Sequence, residues 1–506
     1  VRQMLWNNMS RARTMLLKNF GKGLNTDVDE ARIDTEELTD CKNITCDDYP
    51  VIRTRNDRVL EDCDTLTLPK GIGARGSSQM HAFDNGTWSC RLLASTGWTA
   101  ITAGLTTAST QVSFHEFNTY GLTTDNTTGA GLKYSICACA NSSNMHNGYW
   151  SEDSTFEYFT TSYTEPSTGS TYTNYPPQSN LLTIHKYRVY GFDKDYRTIR
   201  YSELGNPVWF KAANYLDVTE MRGASQAIVT YADHVIAWGE HSMHELYGES
   251  VYNFEFVNVS NTIGCVGKYA YTECNGYLFW LDYNGVYVYT GGKPRLIGEK
   301  AKKYLEGINW TFRKLICMGS FDTKIYIALP YKSTANNRLI VIDIGGLENG
   351  LELVSIEDDA NIQSFVSIAD KLYGLNNSGA VWNMCSTLKT GYDNSTAISW
   401  SFETQPLSEE SLNVNSGIRD VWVEHQGSTK ASMTLRYSTN SHSTTFSTFM
   451  AAADFTTSST NIVRDRFLTS STELQGITHV KFQFAGTGYK KIYGLQANIL
   501  SYGDIQ

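Results

Sequence analysis

From residue 185 onward, apolar and polar residues alternate in short runs separated by charged or glycine-bearing turns. "HKYRVYGFDKDYRTIRYSELG" (185–205) alternates, turns, and alternates again. The shape returns in "DHVIAWGEHSMHELYG" (233–248), "GYLFWLDYNGVYVYTGG" (276–292), "TKIYIALPYKSTANNRLIVIDI" (323–344) and "DKLYGLNNSGAVWNM" (370–384). Period-two runs on both sides of a polar turn predict strand, turn, strand. Aligned on Val189, Ile236, Leu278, Ile325 and Leu372, the units recur at steps of 47, 42, 47 and 47 residues. Steps of this size, each with room for four short strands, predict an all-β chain built around a β-propeller. One blade cannot bury both of its faces, whereas blades stacked in a ring bury each other. Counting back, "KYSICACA" (133–140) and "GTWSCRLLAS" (86–95) fall near the next two positions. Six or seven blades therefore fit, six slightly better, in a domain covering 51–393.

Two stretches break the rhythm. Residues 141–180 are rich in Ser, Thr, Tyr and Asn and read as a long insertion. Its Tyr149, Trp150 and Phe156 are candidates to meet a partner. After residue 393 the alternation persists without the blade spacing ("AISWSFETQPL", "RDVWVEHQ", "HVKFQFAGTGYKKIYGLQANIL"), which predicts an antiparallel β-sandwich over 394–506. Residues 1–50 read as an arm, in which Met15 is the expected natural start and 1–14 an over-extension. Asp34 and Glu37 have capping-box spacing and predict a short helix, "TEELTDCKN" (35–43). "YPVIRTR" (49–55) should leave it extended and enter the first or last blade. The glycine-bearing "FGKGLN" (20–25) should lie along a neighbouring surface.

Composition narrows the chemistry. The 506 residues carry a formal net charge of −10, from 42 Lys+Arg against 52 Asp+Glu. That balance argues against a surface made to grip phosphate, though not against DNA passing nearby. Aromatic residues are plentiful (Tyr 31, Phe 21, Trp 11) and Pro is scarce at 9, in keeping with pleated structure. No run approaches the length of a membrane-spanning helix. The close cysteine pairs, Cys41/Cys46 and Cys137/Cys139, match no zinc or redox spacing, so reduced, buried thiols are expected.

"GIGARG" (71–76) spells a dinucleotide loop but lacks the strand and helix that such a loop needs, and reads as a glycine-permitted turn. "HSMHE" (241–245) sends its histidines to opposite faces of a strand and reads as a hairpin pair, not a metal site. "FDNGTWS" (83–89) only approximates the turn of sialidase propellers. No cofactor, metal ligand set or catalytic residue is predicted. Arg53, Arg55 and Arg58 could clamp a carboxylate but are expected at an interface, with Tyr149 and Trp150.

Taken together, "FGKGLNTD" (20–27), "DTEELTDCKNITCDDYPVIRTR" (34–55), "IRYSELGNPVWF" (199–210) and "NGYLFWLDYNGVYVYTGGKPRLIGEKAKKYLEGIN" (275–309) resemble the packaged-DNA stabilisation, or tail hub (nozzle), proteins of short-tailed bacteriophages. With the Phe-Glu-Thr-x-Pro stretch at 402–406, the resemblance spans roughly residues 18–500. It implies a non-enzymatic virion protein of the neck or tail that forms a ring, usually hexameric, beneath portal and adaptor. Such a ring retains packaged DNA, lets it pass without specific binding, and receives a tail needle, spike or fibre; no membrane is involved. A receptor- or glycan-binding tail module is the alternative, and a propeller glycosidase a more remote one.

Overall fold

The five anchor residues of the repeat are all buried, at most 1% exposed. Each lies on the second strand of a four-stranded antiparallel sheet. The computed structural model describes residues 12–504 apart from 106–110, 120–132, 141–146, 152–155, 166–167, 251, 359–360, 409–413, 441, 458–460 and 469–473. Seven such sheets span 69–102, 113–158, 182–217, 225–260, 271–297, 317–358 and 362–383, numbered here as blades one to seven. The ring is a seven-bladed β-propeller, which corrects the preference for six.

Within blades one to six the strands follow chain order from the axis outwards, and the first strands of neighbouring blades lie close to one another around the centre at six of the seven junctions. "GIGARG" lies there, on the innermost strand of blade one, Pro69–Arg75. Its first five residues are strand and not the expected turn, which begins only at Gly76, with φ +56°. A Cβ on Gly71 would stand 2.0 Å from the Val112 carbonyl oxygen, and one on Gly73 2.5 Å from Phe114. Close approach of blade two, rather than a phosphate, accounts for these glycines.

Blade seven supplies only three strands from its own stretch of chain. Its outermost strand is Val59–Leu60, which pairs with Trp382 and Asn383. The join continues through Glu61 N–H to the Val381 carbonyl (2.9 Å) and Leu66 N–H to the Gly379 carbonyl (3.1 Å). An early segment thus closes a ring whose last blade is written some 300 residues later.

The sandwich also draws on both ends of the chain. One sheet orders Ile44–Thr45, Ile52–Thr54, Lys490–Asp504, Val414–Gly427 and Val463–Leu468, with Ala12–Leu17 also on Lys490–Asp504. The other orders Leu38–Lys42, Ser399–Thr404, His479–Thr487, Ser432–Ser438 and Ser447–Met450. Phe20 of the arm enters the core between them, 5.6 Å from Phe402, which stacks on Phe484 at 4.8 Å. "YPVIRTR" therefore joins the sandwich and not a blade; the ring is latched a few residues further on.

The helix expected at 35–43 is a turn followed by the strand Leu38–Lys42. Half of the capping box forms: the Asp34 N–H donates to Glu37 Oε2 at 3.3 Å. Leu38, Thr39 and Cys41 are buried, because this strand lies between the sandwich strand Ser399–Thr404 and the outer edge of blade six. Pairing with distant strands outweighs a local helix signal worth only tenths of a kcal/mol per residue. "FGKGLN" runs along blade six of its own chain, where the Leu24 N–H donates to the Val354 carbonyl (2.8 Å).

The stretch 141–180 is only partly an insertion. Gly148–Ser151 and Glu157–Tyr158 are the outer strands of blade two, and an added hairpin, Ser162–Thr164 with Thr171–Thr173, follows.

Gly379 tests the closure. A Cβ there would stand 1.8 Å from the Leu66 carbonyl oxygen, and its φ is +86°. Gly379→Ala is expected to lower the unfolding free energy by about 2–4 kcal/mol in urea titrations. Gly76→Ala, with φ +56° but open space around it, should cost only about 1 kcal/mol.

Candidate functional site

The axis of a propeller is the first place to look for a site, since side chains from several blades converge there. Here it is occupied at one end by Lys268 and Tyr269, which lead into the inner strand of blade five. Tyr269 bridges to Cys317 of blade six, and its hydroxyl lies beside Ser113 of blade two. Blades two and five are not neighbours, so this contact crosses the axis. The Lys268 Nζ is buried without a hydrogen-bond partner. Burial pulls its pKa down to about 7, partly opposed by the nearby Cys137 and Cys139. His115 of blade two, hydrogen-bonding distance (3.0 Å) from Ser113, is held down to about 3 by burial and by Lys268. These groups plug the axis.

A dense polar assembly lies where the arm leaves the sandwich for the propeller. Arg53, Arg55 and Arg58 are 3%, 4% and 5% exposed, so they face the interior of their own chain and not a neighbouring subunit. The Arg55 guanidinium grips both oxygens of Asp393, with Nη1 to Oδ1 at 2.9 Å, and its Nε donates to Asn43 Oδ1 at 3.2 Å. Arg58 donates through Nη2 to Glu357 Oε2 at 2.5 Å and through its backbone N–H to Asp393 at 2.7 Å. Arg53 holds Asp47 at 3.1 Å and Asp48 at 3.4 Å. Lys324 of blade six closes on the other oxygen of Asp47.

Each element has a reason to be there. Glu357 and Asp358 end the outer strand of blade six, and Asp393 stands in the short hairpin that carries the chain into the sandwich. Asn43 adopts φ +53°, a conformation asparagine tolerates, and that turn lets its amide bridge Asp358 (2.6 Å) and the Ser399 carbonyl (2.7 Å). Asp57 accepts the N–H groups of Thr390, Gly391 and Tyr392 at 2.8, 2.8 and 3.2 Å, tying the arm to the outgoing linker. Burial acts to raise the Asp393 carboxyl, but Arg55 and then Arg58 outweigh it and hold it below the usual range. Asp47 behaves alike, with Lys324 the main counterweight to burial. Beside the network lies a cavity of about 210 Å³ lined by Arg55, Arg58, Lys324 and Glu357. The geometry suits fastening: bidentate and charge-assisted bonds set three chain segments in one register.

A second ionic seam lies along the arm. Lys300 meets Glu37 at 2.9 Å, Lys302 meets Asp27 at 3.2 Å and Lys303 meets Asp40 at 2.7 Å. The Tyr304 hydroxyl donates to Asp40 at 2.5 Å, and the Thr26 N–H donates to the Lys300 carbonyl at 2.8 Å. Lys300–Tyr304 lie on the short helical segment, 299–306, that follows blade five.

Tyr149 and Trp150, read as interface residues, belong to the packing of blade two. Tyr149 stacks on Phe159 at 5.5 Å and its hydroxyl meets Glu157; Trp150 lies under the Arg75 guanidinium at 4.9 Å. His244 is buried on its strand, while His241 lies exposed at the preceding turn. Among the described residues no three metal-ligating side chains converge, and none of the ten cysteines is disulfide-bonded. No helix among the described residues is long and apolar enough to cross a membrane. Asn43, Asp57, Glu357 and Asp393 were not singled out by the sequence; asparagine and aspartate beside a cluster of arginines are the only local hint.

No protein-family model and no curated protein matches the chain. Among solved structures it resembles PorZ, a surface component of the type-IX secretion system of Porphyromonas gingivalis, at 12% identity and TM-score 0.37. That match covers 70% of this chain but only 44% of PorZ. It also resembles BamB from Moraxella catarrhalis (11% identity, 63% of this chain and 84% of that one, TM-score 0.36). Hsv2 of Kluyveromyces lactis is a further likeness (7%, 68% and 95%, TM-score 0.35). The strand pairings themselves define the propeller.

Arg58→Met should leave Glu357 only the longer contact to Arg55 Nε at 3.6 Å and cost about 2 kcal/mol in urea unfolding, with Glu357→Leu added to it recovering part of the loss. Equal stability of the single and double variants would contradict this. The depressed carboxyls of Asp47, Asp48 and Asp393 contribute stability above their ordinary pKa of 3.8, and it should be lost as pH falls below about 4. For Lys268 the sign is opposite. Its folded pKa of about 7 lies below the ordinary 10.5, so the unfolded chain binds the extra proton between these values. Lys268→Met should therefore be more stable than the parent by on the order of 4 kcal/mol at and below pH 7, and the gain should shrink toward pH 10.

Proposed function

We propose that this chain is a non-enzymatic structural protein of a bacteriophage virion, placed at the head–tail or tail hub region. Copies assemble into a ring that closes or lines the DNA exit channel beneath portal and adaptor and receives a needle, spike or fibre. One observation carries this reading. Three of the separated stretches on which the phage resemblance rests (20–27, 34–55 and 275–309) meet in space as one ionic seam, through Thr26, Asp27, Glu37 and Asp40 against Lys300–Tyr304, while 199–210 lies apart in blade three. Much of the resemblance thus falls on residues that bind arm to propeller, in keeping with a shared architecture.

The acidic balance is consistent with a wall that DNA must cross without adhering. Because Lys268 and Tyr269 plug the propeller axis, DNA would pass through the lumen between subunits and not through a propeller. Electron microscopy and native mass spectrometry of the full chain should show closed rings of about six copies. A chain that stays monomeric and cleaves glycans would overturn the proposal.

A further inference from the structure

Between blades two and three stands a hairpin that no blade requires: Ser162–Thr164 and Thr171–Thr173 pair with each other alone. Its aromatic residues stay at the surface. Tyr172 is 43% exposed, and Tyr175 and Tyr215 beside it are 39% and 48% exposed. Single exposed tyrosines are ordinary on a protein surface, but these are organised.

Trp209 stacks on Tyr163 with ring centroids 4.9 Å apart and an angle of 17°, and Tyr172 approaches it at 5.6 Å. The Asn206 amide donates to the Tyr163 hydroxyl at 2.9 Å. Next to this stack, the Arg200 guanidinium lies over both Tyr175 (5.6 Å) and Tyr215 (5.4 Å). The two stacks are joined along 208–212, through the Tyr175 N–H to the Phe210 carbonyl at 2.9 Å and Arg200 to the Ala212 carbonyl at 3.5 Å. The rings are therefore ordered before any ligand arrives, which lowers the entropic cost of binding.

Charge decides the class of occupant. Arg200 is matched by Asp193 at 3.2 Å and Lys211 by Glu203 at 3.3 Å, so the strip has little spare charge for a phosphate or a carboxylate. Trp209 is covered by Tyr163 and by the Lys211 ammonium at 4.5 Å, so what remains is the exposed ring surface of Tyr172, Tyr175 and Tyr215, whose negative π-surface attracts C–H groups, bordered by hydroxyl, amide and guanidinium groups. We propose that this strip binds a neutral oligosaccharide, the sugar rings lying on the exposed Tyr172, Tyr175 and Tyr215, with Tyr163, Trp209 and Arg200 holding those rings in place. The site is independent of the ring assembly proposed above.

The test is calorimetric titration and saturation-transfer NMR of the full chain with three neutral linear hexasaccharides, β-1,4-glucan, α-1,4-glucan and β-1,4-mannan. At least one should bind with a dissociation constant below about 10 mM. Tyr172→Ala with Tyr215→Ala should weaken it at least about tenfold. Both positions are exposed, and an unchanged near-ultraviolet circular dichroism spectrum would verify the fold. Tyr252→Ala, at a lone tyrosine 96% exposed, should leave binding unchanged. Failure of every hexasaccharide to bind at about 10 mM, or binding indifferent to the double substitution, would overturn the proposal. So would a change of oligomeric state in the double variant, which would make the strip a subunit contact. Binding of a proline-rich peptide in place of the sugars would also overturn it. None of these readouts requires a virion.

Discussion

Arg55 and Arg58 lie where a lone guanidinium would be prohibitively costly, and the carboxylates of Asp393 and Glu357 are what make their burial tolerable. This match dictates more than its own energy. Arg58 stands one residue before the strand that closes the ring, so the grip on Glu357 aims Val59–Leu60 at the free edge of blade seven. Asp393 belongs to the linker by which the chain leaves the propeller, so the same contact fixes the exit as well as the arrival. A buried pair of this kind adds little net stability over an apolar isostere. Its use lies in register: only one relative placement of arm, blade six and linker satisfies all the charges.

The placement is reinforced at both ends of the arm. Phe20 is inserted among Phe402 and Phe484 in the sandwich, while Leu24, Leu38 and Ile44 belong to an apolar core continuous with that of blades four to six. Two domains joined by one linker ordinarily move relative to one another. Here the chain crosses between them before blade one and again after blade seven, and Asp57 clasps the two crossings together. The second ionic seam, from Lys300 to Tyr304, adds a further attachment on the side of blade five. Propeller and sandwich are held as one body.

How much of this could be read from the residues depended on the range of the interactions. Blade anchors such as Leu278 and Ile325 were legible because hairpins are local: both strands and their turn lie within about twenty residues. Blade number was legible only as six or seven, and the ring closure not at all, since the closing strand Val59–Leu60 is too short to show a period and lies far in sequence from its blade. The segment 35–43 misled because its capping-box spacing is a local signal, whereas its partners, at 351–358 and 399–404, are far away in sequence. The arginines were identified as residues that join surfaces, but the surfaces proved to be those of their own chain, since Glu357 and Asp393 follow about 300 residues later. Tyr149 and Trp150 were misplaced because blade two has strands of only four and two residues on its outer side, which a Ser/Thr-rich composition disguised as insertion.

The borrowed strand also has a consequence for biogenesis. During synthesis the segment at 12–60 emerges long before its distant strand partners, which lie at 381–504, and before the ionic partners at 300–324. Blades one to six can form behind it as hairpins, one after another, while this segment waits with its strand edges and Phe20 unsatisfied. Ring closure and sandwich assembly are then late, long-range events, of the kind that slow folding and favour exchange of segments between copies. In a crowded polysome, the waiting segment of one chain would meet the vacant edge of blade seven on another. The charged clasp at Arg55 and Arg58 would then also serve as a proofreader, because a segment docked out of register leaves a guanidinium buried without its carboxylate.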